Sequence, residues 1–145
     1  MMVSLYPIRN VVGFLLMIVG GMMLSCIPFS VYFGESDWKA LFGAALITAS
    51  AGFLFRQFKP KPGNHQVRKR EGYLIVASGW ISMVLFSALP YLFSGLFDNP
   101  VDAFFESISG MTTTGATIIS DIEAMPKGIL FWRSLTQWIG GMGII

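Results

Sequence analysis

Four long apolar runs, with few charges inside them, decide most of what this chain can fold into. They are "VVGFLLMIVGGMMLSCIPFSVYF" (Val11 to Phe33), "WKALFGAALITASAGFLF" (Trp38 to Phe55), "GYLIVASGWISMVLFSALPYLFSGLF" (Gly72 to Phe97) and "GILFWRSLTQWIGGMGII" (Gly128 to Ile145). A helix rises about 1.5 Å per residue, so roughly 20 residues cross the hydrocarbon core of a bilayer. Each run is close to that length or longer. Only 12% of the residues are charged, against about 25% in a soluble globular domain. Arg9 precedes the first run as in a cleaved signal peptide, but the run is too long for that, so a retained transmembrane helix is expected. Pro28 and Pro90 fall late in their runs and are expected to kink or end them. Cys26 is the only cysteine, which rules out an internal disulfide and a thiolate metal cluster. In its apolar run it reads as a small buried hydrophobe.

The polar joints orient the runs. "RQFKPKPGNHQVRKRE", Arg56 to Glu71, carries Arg56, Lys59, Lys61, Arg68, Lys69 and Arg70, six of the ten basic residues. Positive loops stay inside, so this loop and the N-terminus are expected to be cytoplasmic. The turn "GESD" and everything between the third and fourth runs then fall outside. Seven acids follow them there: Glu35, Asp37, Asp98, Asp102, Glu106, Asp121 and Glu123. They read either as solvated loop carboxylates or as an acidic vestibule that concentrates cations. His65, in the basic loop, reads as solvated.

Residues 98–127 are too long for a turn and too apolar for a free loop. "NPVDAFFESISGM" carries helix signals: Asn99 to cap, Pro100 at the first helical position, and Asp102 beside the positive end. Phe104, Phe105 and Ile108 mark an apolar face, and Gly110 is expected to end the helix. At about 1.5 Å per residue it spans roughly half a bilayer. With both flanks outside, it is expected to be a re-entrant half-helix over about 100–110.

"MTTTGAT" follows the negative end of that half-helix, which favours cations. Backbone at membrane depth that is not helical must line a cavity or be buried in protein. An extended Thr112 to Gly115 segment can turn successive carbonyls to one axis and replace the water shell of a monovalent cation. Gly115 suits the positive φ that such a turn often demands. Alone, "TTTG" also fits a polar loop or a threonine helix cap. Its position between two membrane runs favours an ion filter over about 112–117.

"DAFFESISGMTTTGATII" followed by "LFWRSLTQWIGGMGII" resembles the TrkH-type subunits of the Trk/Ktr/HKT potassium transporter superfamily. "REGYLIVASGW" to "SALPYLFS" is similar to the first pore-domain helix of that family, and the likeness covers essentially the whole chain. The resemblance implies four unequal helix–pore-loop–helix repeats around one pathway, each giving one filter strand with a key glycine. That glycine falls on Gly115, and the ion-coordinating positions before it fall on Thr113 and Thr114. Thr112 and Ala116 flank them as supports. The resemblance also implies a homodimer and a cytoplasmic, nucleotide-binding TrkA-type partner. Only one repeat of the four is recognisable, and the chain stops within its second helix, as the N-terminal part of a longer transporter would.

The expected fold is therefore an all-α integral membrane protein. An N-terminal transmembrane hairpin (1–58) and a basic cytoplasmic loop (59–71) precede one helix–re-entrant pore loop–helix repeat (72–145) of a potassium-channel-like fold. Glu106 is expected to brace the filter. Arg133 either bonds to Glu106 and the filter surroundings or snorkels to the outer interface. Gly140, Gly141 and Gly143, like Ala45, Ala49 and Gly52, fit close helix packing. No catalytic triad, metal-ligand spacing or phosphate loop is present, so an enzyme is not expected, nor a bound cofactor, a metal other than potassium, or a nucleic-acid partner. The expected activity is potassium uptake across the bacterial inner membrane. The competing reading is a small non-transporting membrane scaffold.

Overall fold

A computed structural model describes residues 5–57 and 69–143. Lys59, Lys61, His65 and Arg68 of the basic loop lie outside them, as do Ile144 and Ile145. Among the described residues the elements are all helical: α1 (Leu5–Tyr32), α2 (Trp38–Arg56), α3 (Lys69–Ser87), α4 (Leu89–Ser94), α5 (Pro100–Met111) and α6 (Lys127–Met142). Among the described residues, three stretches are long and apolar enough to cross a membrane: Leu5–Tyr32, Trp38–Arg56 and Lys69–Ser94. Helix α6 has 16 described residues, about 24 Å at the usual rise, and is not among these three.

Helices α1 and α2 form an antiparallel hairpin. Small residues set its spacing: Gly13 and Gly52 face each other, and a Cβ added to either would stand 2.7 Å from the other's carbonyl oxygen. Two turns further along, Gly20 meets Ala45 and Ala49. Close backbone approach of this kind is how helices associate in lipid, where apolar burial alone gives no drive. Their outer faces, including Phe14, Ile18, Leu46, Phe53 and Leu54, are exposed apolar side chains suited to acyl chains.

The hairpin rests against α3, α4 and α6, and α5 packs between α3 and α6. The shared core holds Met23, Leu41, Tyr91, Met111, Ile129 and Trp132, all fully buried. Phe29 of α1 stacks on Phe131 of α6 with ring centroids 4.0 Å apart. Helix α3 breaks at Ala88 and resumes as α4, with Pro90 in the first turn of α4. Trp132 uses the break, donating its indole N–H to the Ser87 carbonyl at 3.1 Å.

Two prolines and a glycine behave differently from one another. Pro90 coincides with the break, whereas Pro28 sits inside α1, which continues to Tyr32. Membrane helices tolerate an interior proline when neighbours re-satisfy the freed carbonyl. Gly110 does not end α5, which runs on to Met111 with Thr112 as its cap. The glycine is needed for space instead: a Cβ there would overlap the Thr136 hydroxyl on α6.

Candidate functional site

Helix α5 starts where the Asn99 side chain accepts from the Val101 N–H at 3.0 Å. Pro100 opens the helix and Asp102 lies in its first turn. Its far end closes in a Schellman motif. Thr113 N–H donates to the Gly110 carbonyl and Thr114 N–H to the Ser109 carbonyl, both at 3.0 Å. That motif needs a left-handed residue one past the cap, usually glycine. Here Thr113 fills it, at φ 55°. A left-handed conformation costs an L-residue roughly 1–2 kcal/mol, and β-branching makes threonine a poor choice for it. The turn is therefore strained where the sequence predicts ion-coordinating carbonyls.

Beyond it, residues 114–119 form neither helix nor strand. Gly115 has φ 75°, and a Cβ at Gly115 would meet nothing within 4 Å. Its glycine requirement is thus one of backbone conformation and not of space. The hydroxyls of Thr112 and Thr114 hydrogen-bond each other at 2.8 Å, and Thr112 also donates to the Ile108 carbonyl. Thr112 through Ala116 are exposed. Among the described residues, no hydrogen bond is made to the carbonyls of Thr113, Thr114 or Gly115.

The flanks of this open strand are held tightly from behind. The Ser109 hydroxyl donates to the Ala116 carbonyl at 2.5 Å, so that carbonyl faces the half-helix. Glu106, one turn earlier, is fully buried. Its Oε2 accepts from the Thr117 hydroxyl at 3.0 Å, and its Oε1 accepts from Arg133 Nε at 2.5 Å. The Thr117 oxygen in turn accepts from the Ile119 N–H at 3.1 Å. Arg133 does not reach for the outer interface: its side chain keeps only 12% exposure and is committed to Glu106. Both charges lie in a low-dielectric interior, where a paired and hydrogen-bonded arrangement is the condition for burying them.

Nearer the C-terminal end of α6, Gly140 abuts the last turn of α5. A Cβ there would overlap the Met111 carbonyl. Gly141 lies beside Thr113, with its hypothetical Cβ 3.7 Å from the Thr113 methyl. Helix α6 therefore meets the half-helix and its turn at three levels, through Arg133, Thr136 and Gly140.

Sequence reading singled out Glu106, Thr112, Ala116 and Arg133, but not Ser109, Thr117, Thr136 or Met111. The spacing gave one clue. Ser109 and Glu106 lie three apart on one face of α5, the face that meets the returning strand. Two acids belong elsewhere. Asp37 is buried and accepts from the Ile129 N–H at 3.0 Å, while Glu35 accepts from the Lys127 N–H at 2.5 Å. Both are bound to the start of α6 and are not free carboxylates of a vestibule.

The TrkH family model, described as a cation transport protein, matches residues 38–145. The chain is 40% identical over 143 residues to the Trk system potassium uptake protein TrkH of Halomonas elongata, covering 98% of this chain and 30% of that one. It is 34% identical over 142 residues to the protein of the same name from Escherichia coli K12, covering 95% of this chain and 29% of that one. The crystal structure of the potassium transporter TrkH from Vibrio parahaemolyticus matches with a TM-score of 0.89 at 31% identity, over 98% of this chain and 30% of that one. The chain thus spans about 30% of the length of the relatives it matches, and their names are those of transporters, not enzymes. By fold, by membrane-length helices and by these matches, the chain belongs to the TrkH family of cation transport proteins.

Proposed function

We propose that this chain supplies one selectivity-filter strand of a potassium uptake pathway. The observation that carries the reading is the contrast between strand and flanks. The carbonyls of Thr113, Thr114 and Gly115 have no protein donor among the described residues, while Ala116 and Thr117 are pinned to the half-helix. Carbonyls so placed can exchange a cation's hydration shell for protein oxygens. The nearby C-terminal end of α5 adds negative potential at the same point.

Potassium would arrive from outside, shed water at this strand and move inward. A pore needs carbonyls around the whole axis, so further strands of the same kind complete it, as the names and lengths of the relatives suggest. The excess of basic residues in the 56–71 loop favours a cytoplasmic N-terminus, and the membrane would be the bacterial inner one. Inner loops then face a TrkA-type nucleotide-binding subunit, and the complete protein forms a homodimer.

The test is growth. The complete reading frame containing this chain is expressed in cells that lack potassium uptake, with and without Gly115→Asp. Rescue at low potassium by the unaltered frame, lost with the substitution, is expected. A substituted protein that rescues equally well sinks the filter assignment, and an unaltered frame that is inserted in the membrane but does not rescue favours a non-transporting role.

A further inference from the structure

Helix α6 has no cap of its own. Its N-cap position is Pro126, with no side-chain hydrogen bond to the first turn. The sequence "MPKGIL" offers no serine, threonine, aspartate or asparagine there, so the first N–H groups of α6 need acceptors from elsewhere. They come from the α1–α2 turn, 92 positions earlier. Glu35 Oε2 takes the Lys127 N–H at 2.5 Å, and Asp37 Oδ2 takes the Ile129 N–H at 3.0 Å. The other Asp37 oxygen takes the Ser30 hydroxyl. Gly128 lies between the two capped residues. A Cβ there would stand 2.5 Å from Asp37 Oδ2 and 2.9 Å from both Leu41 Cδ1 and Ser30 Cβ. The seat fits glycine only.

We infer that the α1–α2 hairpin is a positioning element for the pore strand, with Asp37 as its principal anchor on α6. The mechanical path is short. Ile129, held by Asp37, lies one turn before Arg133 on the same face. Arg133 holds Glu106, and Glu106 holds Thr117. Asp37 and Glu35 carry negative charge at the positive end of the helix dipole, so the anchor is electrostatic as well as geometric. A helix clamped at its start and lying against Met111 at Gly140 has little freedom to slide along α5. Because the proposal rests on the filter reading, loosening the anchor should change how well the strand discriminates between cations.

The complete reading frame is expressed in cells without potassium uptake, and membrane-inserted protein and relative potassium and sodium uptake are measured. Asp37→Ala is expected to lower potassium-over-sodium discrimination about fivefold, the equilibrium equivalent of one lost cap. Asp37→Asn keeps an acceptor for Ile129 and should stay within about twofold. Gly128→Ala should match Asp37→Ala, and the double variant should be no worse than either, because both act on one contact. Where Asp37→Ala does not accumulate, Gly128→Ala and Glu35→Ala read the same clamp. Normal discrimination in membrane-inserted Gly128→Ala and Glu35→Ala overturns the anchor. Gly115→Asp separates the two ideas. If it leaves discrimination intact, the filter reading fails, and the anchor's link to selectivity fails with it. If it abolishes uptake while the clamp variants are normal, only the anchor fails.

Discussion

Glu106→Gln probes the brace behind the strand with the smallest change in shape. The wild-type carboxylate is fully buried and accepts two hydrogen bonds, from Arg133 Nε at 2.5 Å and from Thr117 at 3.0 Å. The amide keeps one acceptor oxygen and loses the charge. If that oxygen stays on Arg133, an NH2 group faces the Thr117 hydroxyl, whose oxygen is already engaged by the Ile119 N–H. Hydrogen bonds to charged groups contribute about 1.5–3 kcal/mol against about 0.5–1.5 kcal/mol for neutral ones. Removing one member of a buried ion pair costs about 3–5 kcal/mol. Arg133 retains 12% exposure, which relieves part of that, so the expected loss is about 2–3 kcal/mol. Arg133→Met strands a fully buried carboxylate and should lose about 3–5 kcal/mol. The double variant removes both charges, so it should lose less than the two singles together, with a coupling of about 1–3 kcal/mol. The assay is unfolding of the complete protein in lipid–detergent micelles, read alongside cation uptake. Additive losses, or a Gln variant within about 0.5 kcal/mol of wild type, would refute the brace.

Three further outcomes follow from single contacts. Gly140→Ala drives a methyl group onto the Met111 carbonyl, so it should destabilise by about 1–3 kcal/mol and reduce uptake, measured in the same two assays. Thr113→Gly relieves the left-handed strain at φ 55° and should leave unfolding free energy unchanged or raised by up to about 1 kcal/mol; a clear loss would contradict the turn geometry. Trp132→Phe removes the indole donor to the Ser87 carbonyl and should cost about 1 kcal/mol or more, since that carbonyl is left buried at a helix break.

Much of the fold was legible because lipid imposes simple rules. Long apolar runs must be helical, and α1, α2 and α3 follow directly from theirs. The start of α5 was equally readable, since Asn99, Pro100 and Asp102 act through neighbours one to three residues away. Contacts across the chain were not. The capping of α6 by Glu35 and Asp37 joins residues 92 apart, and nothing local distinguishes those acids from solvated ones. Pro28 does not end its helix, because a proline inside a packed membrane helix need not break it. Gly110 reads locally as a stop signal, whereas Thr136, a residue of another helix, explains it.

Within the site, Gly115 was readable and Thr113 was not. A glycine in a polar turn points to positive φ by its chemistry, and φ 75° agrees. A β-branched threonine argues against that conformation, yet the Schellman closure of α5 imposes it. Thr117 and Ser109 were missed because their partners, Glu106 and Ala116, come into reach only once the chain folds back after Gly115.

The central claim is that the carbonyls of Thr113, Thr114 and Gly115 hold a monovalent cation. The most direct measurement is a structure of the complete protein with rubidium or thallium in place of potassium, located by anomalous scattering. An ion peak within coordinating distance of these three carbonyls is the predicted result. A well-ordered strand with ion peaks elsewhere in the pathway, and none at these oxygens, would contradict it.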